Sequence, residues 1–188
     1  MIFTETAMPG SWLVDLKLIE DDRGFFARGW CAQEFADHGL NPQLKQINVA
    51  FNPRRGTLRG MHFQEPPWAE AKLVRCTRGA IYDVIVDLRP GSPTFRQWLG
   101  VELTAENHRM LYVPEGCAHG YQTLVDATEM YYQTTAAYAP TAAKGVRYDD
   151  PAFGIEWPLP VAAISAADRG WPAFKPAEHV QSNPSRSA

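Results

Sequence analysis

The sequence contains no apolar run long enough to cross a bilayer. The stretch "AIYDVIVDL" (80–88) falls far short of the ~20 residues a spanning helix needs and carries two aspartates. A basic leader followed by an apolar segment is missing from the start, "MIFTETAMPGSWLVDL", so secretion is not expected. Excess charge of one sign is also missing. With 18 Lys+Arg against 21 Asp+Glu the net charge is −3, which gives no general attraction to nucleic acid or to a membrane surface. Cysteine is scarce: Cys31, Cys76 and Cys117 are odd in number and lack CxxC spacing. A reduced cytoplasmic protein, with the cysteines as small buried apolar residues, fits best.

Two common catalytic signatures are absent as well. There is no GxSxG, and Cys117 beside His119 has no evident third partner for nucleophilic catalysis. The metal-binding pattern of two histidines two residues apart is not present, since His62 is followed by Gln64 and His119 by Gly120 and Tyr121. Two histidines from separate strands with Glu70 would make only an incomplete ligand set, so no metal is expected.

What is present is 188 residues, 45% hydrophobic and 12% aromatic, which excludes a disordered chain and suits one domain. The pattern is mostly β. "WLVDLKLIE" reads as one strand, "AQEFADHGL" as a short helix stopped at Gly39, and "LKQINVAFN", "TLRGMHFQ", "AKLVRCTRG", "AIYDVIVDLRPG", "FRQWLGVELT", "RMLYVPEG", "AHGYQTLVD" and "TEMYYQTTAAY" as further strands. Strand-sized segments at this spacing predict an antiparallel sandwich or barrel. The Pro- and Ala-rich segment from "AAYAPTAAKG" to "GIEWPLP" reads as wrapping loops. Residues 1–174 are expected to form a single unit and 175–188 a mobile tail.

Alternation assigns faces. Ile81, Asp83, Ile85 and Asp87 share one side of their strand, and Tyr82, Val84 and Val86 the other. By the same rule His62 groups with Gly60 and Gln64, Arg59 with Met61 and Phe63, and Lys72 with Val74 and Cys76. One face therefore mixes polar and apolar groups, as the lining of a ligand cavity does. Taken singly, each polar residue also has an ordinary reading: His62 as a structural histidine, Lys72 as a solvated strand residue, Tyr132 as a packing aromatic, Asp168 as a turn or N-cap residue. Arg23, Arg59 and Arg75 are suited to a diphosphate by their bidentate geometry, and equally to a solvated surface.

Taken together, the blocks "DDRGFF" (21–26), "QINVAFN" (46–52), "GTLRGMHFQ" (56–64), "AKLVRCTRGAIYDVIVDLRPGSPTF" (71–95), "PEGCAHGYQTL" (114–124), "YQTTAAY" (132–138), "YDDPAFGIEWP" (148–158) and "ISAAD" (164–168) stand in order. They resemble the dTDP-4-dehydrorhamnose 3,5-epimerases, sugar-nucleotide epimerases built on a cupin-type jelly-roll barrel. The resemblance implies an all-β fold with short peripheral helices. It also implies epimerisation at C3, C5 or both of a nucleotide-linked 4-keto-6-deoxyhexose through an enolate.

In that scheme His62 is the general base and Asp168 orients its imidazole. Lys72 stabilises enolate charge with Asp83 as a nearby polar partner, and Tyr132 is the general acid on the other face of the sugar. Arg23, Phe26, Arg28, Gln46, Asn48, Arg59, His119 and Tyr138 fall at substrate-binding positions. No cofactor is implied, and the partners implied are a nucleotide sugar and a second copy of the chain, because N-terminal strands in such enzymes pair across subunits. Arg28 stands where a glutamate is usual, Ala143 replaces an acidic residue and Ala167 a lysine. Those departures leave room for a CDP- or GDP-linked sugar, or for a sugar-binding or metal-binding cupin, as alternatives.

Overall fold

The computed structural model describes residues 1–175; the expected tail lies almost wholly outside the described residues. Among the described residues there are thirteen strands and two short helices. Six strands form one antiparallel sheet in the order β1 (Ile2–Glu5), β2 (Trp12–Asp15), β10 (Met110–Val113), β7 (Lys72–Arg78), β12 (Thr128–Thr134), β5 (Gln46–Asn52). Five form a second in the order β13 (Ala143–Gly145), β6 (Leu58–Gln64), β11 (Cys117–Thr123), β8 (Ala80–Asp87), β9 (Trp98–Thr104). A separate ribbon pairs β3 (Ile19–Asp21) with β4 (Gly24–Phe26). Among the described residues no helix is long and apolar enough to cross a membrane.

Apolar side chains decide how these sheets stack. Val74, Cys76, Leu111, Val113 and Met130 from the six-stranded sheet meet Ile81, Ile85, Leu103 and Tyr121 from the five-stranded one, forming the core between them. Ile81 and Ile85 stand on the side of β8 that alternation groups with Asp83 and Asp87. Its other face, with Val84 and Val86, is also buried, under Val146, Phe153 and Phe174 of the C-terminal segment. A third cluster lies where α1 (Ala32–Asp37) lays Phe35 against Val14, Leu73 and Tyr112. Gly39, at φ +71°, ends that helix in the left-handed region a Cβ disfavours.

Two expectations are corrected. "WLVDLKLIE" is not one strand: the ladder partners of β2 end beside Val14 and Asp15, and Arg109 donates twice to Asp15 at 2.8 and 3.0 Å where the chain leaves the sheet. The segment then re-forms as the β3–β4 ribbon. The segment read as wrapping loops includes β13, which pairs with β6. Beyond it comes α2 (Ala166–Arg169), begun by Ser165 Oγ accepting from the Asp168 N–H at 3.0 Å. The opening strand β1 is a further addition.

Candidate active site

A cavity of about 940 Å³ opens between the two sheets, within the range of pockets that take a whole small ligand. Its key positions depend on a register change in β6. His119 of β11 pairs with His62, but Tyr121 pairs with Arg59, so two steps on β11 span three on β6. The extra residue is a β-bulge at Gly60, and it inverts the parity on one side. Arg59 and His62, assigned to opposite faces by strict alternation, therefore both line the cavity. Met61 between them points into the outer cluster. Only glycine fits the bulge: Gly60 has φ +135°, and a Cβ there would lie 2.5 Å from Gly120 Cα.

His62 is half exposed to the cavity and its Nε2 lies 2.7 Å from Asp168 Oδ1. A second Asp168 oxygen accepts from the Gly60 N–H at 3.3 Å. Burial pushes the Asp168 carboxyl up, but its bond to His62, the His62 charge, Gly60 and Ser165 outweigh burial and hold its pKa below the ordinary value. An ionised Asp168 accepts from Nε2–H, leaving Nδ1 as the basic nitrogen of the neutral ring. A second histidine–carboxylate pair, His119 Nε2 with Asp83 Oδ1 at 2.8 Å, lies deeper. Both members are buried, and Asp83 Oδ2 has no hydrogen-bond partner among the described residues. Asp83 is thus placed against His119 rather than against Lys72, where it was expected.

Lys72 rises from β7 in the opposite sheet and is buried. Its Nζ donates to the His62 carbonyl at 3.2 Å and pairs with Glu70 at 3.2 Å, so it bridges the two sheets. Tyr132, also on the six-stranded sheet, faces the same space. Burial pushes its hydroxyl pKa up, the Glu70 charge pushes it further and Arg59 opposes.

Gln46, Asn48, Arg59, His119 and Tyr138 line the cavity too. Asn52 Oδ1 accepts from Arg59 Nε at 2.8 Å and fixes the guanidinium, and Gln46 Oε1 accepts from the Tyr138 N–H. Ala143 and Ala167 are at the wall. Arg23, Phe26 and Arg28 are outside the cavity of their own chain. Arg23 pairs with Asp21 on the exposed ribbon, Phe26 is 71% exposed, and Arg28 Nη1 bonds Glu34 at 2.8 Å on the surface. Arg75 is corrected outright: it alternates with Lys72 along β7 and so reaches the far side of the sheet, beside Trp30 and Tyr131. Among the described residues no three His, Cys, Asp or Glu side chains converge as metal ligands.

Sequence reasoning considered Glu70 only as a metal ligand and passed over Gln64, Lys144 and Trp171, which also line the cavity. Gln64 had a signal, since it shares the parity of His62. Lys144 and Trp171 sit in segments without periodicity, so nothing in the pattern marks them.

A family model described as dTDP-4-dehydrorhamnose 3,5-epimerase matches residues 5–176. The chain belongs to the dTDP-4-dehydrorhamnose 3,5-epimerase family. The family member from Salmonella typhimurium is 41% identical over 174 residues, covering 92% of this chain and 94% of its own. A crystal structure of the Bacillus anthracis dTDP-4-dehydrorhamnose 3,5-epimerase, with TDP and PPi bound, superposes with a TM-score of 0.88 at 41% identity, over 92% of this chain and 99% of that one. A 3'-monoepimerase from Streptomyces bikiniensis, in complex with dTDP-quinovose, gives 0.84 at 34% identity over 92% and 88%. The cupin-type barrel expected of this epimerase family is thus the fold observed.

Proposed function

We propose that this chain is a cofactor-independent epimerase that inverts one or both carbons flanking the C4 ketone of a dTDP-linked 4-keto-6-deoxyhexose. The observation that carries the reading is one cavity lined by His62 of one sheet, paired with Asp168 of α2, and by Tyr132 of the other sheet, with the Lys72 ammonium bonded to the His62 carbonyl. A hydrogen beside a ketone becomes removable only when the enolate oxygen is stabilised, and a buried ammonium supplies that charge. His62 Nδ1 takes the proton while Asp168 holds Nε2–H and stabilises the imidazolium. Tyr132 then returns a proton to the opposite face, which inversion requires and which a single side chain does not easily provide. Its raised pKa keeps the hydroxyl protonated for that step.

Arg59, Gln46, Asn48, His119 and Tyr138 are the substrate contacts of this reading. Arg59 suits the diphosphate or sugar, and Tyr138 offers a flat face to the base. The chain acts as a homodimer in which Arg23, Phe26 and Arg28 complete the cavity of the second copy. Their position outside their own cavity supports this, as do Ile47, Val49 and Phe51, exposed side by side on β5. The three free cysteines fit a cytoplasmic setting.

NMR of the product formed from dTDP-4-keto-6-deoxyglucose tests the reading. The expected outcome is a 4-ketosugar with inverted configuration at C3, C5 or both. Failure of folded protein to convert this sugar on dTDP, UDP, CDP or GDP overturns it, and conversion on another carrier alone corrects the nucleotide.

A further inference from the structure

Glu70 lies in the loop before β7, two residues ahead of Lys72, and its side chain is only 11% exposed at the cavity wall. A carboxylate so placed costs free energy unless it is paired. It has two partners: one oxygen lies 3.2 Å from Lys72 Nζ and the other accepts from Gln64 Nε2 at 3.3 Å. Lys72 in turn donates to the His62 carbonyl. An ammonium carries three N–H donors in a tetrahedral array; one is spent on the His62 carbonyl, and the Glu70 charge 3.2 Å away holds the head beside it. A remaining donor is available to a substrate oxygen.

We propose that Glu70 is a positioning residue of this site, holding the Lys72 ammonium in place for the substrate ketone and supplying the negative charge that balances the cations around Tyr132. The inference rests on the epimerase reading and extends it to a residue that reading leaves unassigned. Its electrostatic side follows from what surrounds the phenol. Lys72 on β7 and Arg59 on β6 bring positive charge to the cavity, and Glu70 brings negative charge to the same wall. His62 on β6, His119 and Tyr121 on β11 and Asp168 of α2 also line it, with Asp83 of β8 behind His119. Of these charges, Glu70 raises the Tyr132 pKa and Arg59 lowers it, on top of the larger effect of burial. Without Glu70, Tyr132 would ionise at lower pH.

The variant E70Q keeps the shape and hydrogen-bonding reach of the side chain and removes its charge. Carbon-13 NMR of labelled tyrosine, with the Tyr132 signal assigned by its loss in Y132F, reads the titration in ligand-free protein. Its midpoint is expected to fall by about 0.5 unit or more in E70Q, the scale of one nearby charge in a partly screened site. Turnover is expected to drop about 10-fold with KM held within about 3-fold, as for an interaction used only in the transition state. A merely structural glutamate would leave the midpoint unmoved, and an unmoved midpoint with wild-type turnover overturns the proposal.

E70D supplies a second arm should E70Q not fold. A drop in turnover of about 3-fold or more with the midpoint unshifted supports the proposal, since charge is kept while reach is lost, and wild-type turnover in E70D contradicts it. The titration needs no substrate. If wild type turns over no nucleotide sugar, the epimerase reading fails while the Tyr132 midpoint still decides for or against Glu70.

Discussion

At the residue scale the account turns on proton transfer between two side chains from opposite sheets. His62→Ala is expected to lower kcat by about 10³-fold or more, since general-base catalysis is removed. Asp168→Asn keeps the size of the carboxyl but offers an amide that can present its N–H to the ring and favour the wrong tautomer. A loss of about 10²-fold or more in kcat with little change in KM is expected from steady-state kinetics. Equal losses in binding and turnover would instead mark Asp168 as a packing residue. The same Asp168 links the site to folding. Its carboxyl pKa is held below the ordinary value, so the stability it contributes is present above the ordinary carboxylate range and lost as pH falls through the lower, folded value.

Much of this was legible in residue identity and block order. His62, Lys72, Tyr132 and Asp168 were singled out together because four poor core residues stood in recognisable blocks, and all four line one cavity. The partnerships were less legible. Asp83 was assigned to Lys72, yet it serves His119, because cross-strand register pairs β8 with β11 and brings residue 119 within reach. Glu70 is the reverse case: its proximity to Lys72 in sequence was plain, but its role depends on a loop geometry that no periodicity encodes.

At the scale of elements, the bulge in β6 is the local feature that assembles the site. Alternation put Arg59 and His62 on opposite faces, and it fails there because one extra residue at Gly60 resets the parity. The signal was a glycine inside a strand pattern, which marks a bulge or a close backbone approach; here it marks both. Gly60→Ala would force a Cβ against Gly120 at a positive φ. It is expected to cost about 3 kcal/mol or more, measured as a lowered urea midpoint, and to disturb the Arg59–His62 geometry. Stability and activity at the wild-type level would remove the bulge from the account. The β3–β4 ribbon was missed for a related reason: apolar alternation persists through Leu16 and Leu18, although the ladder has ended at Asp15.

At the scale of the whole molecule, the antiparallel sandwich was readable from strand spacing and turn residues, whereas the order of strands in each sheet was not, because long-range pairing leaves no local trace. The core between the sheets carries a consequence for pH. Burial pushes the Cys76 thiol up to about 11, the Cys117 thiol up to about 12 and the Tyr121 hydroxyl up to about 12. The unfolded chain releases these protons near the ordinary values of 9.0 and 10.0, so stability is full below about pH 9 and is lost as pH rises toward the folded values. Urea midpoints should therefore fall steadily from pH 9 to 11, and a flat profile would contradict the burial of these groups. The assembly can be tested through β5: Phe51→Glu in the exposed Ile47–Val49–Phe51 row should convert dimer to monomer in sedimentation equilibrium and reduce activity, whereas a monomeric wild type would exclude the shared site.

The most direct test of the two-sided proton transfer is site-resolved proton NMR of dTDP-4-keto-6-deoxyglucose in D₂O with wild type, His62→Ala and Tyr132→Phe. Wild type should wash deuterium into a carbon beside the ketone and invert it. His62→Ala should do neither, and Tyr132→Phe should still exchange the proton while inverting much more slowly. Exchange and inversion that persist undiminished in His62→Ala would contradict the account at its centre.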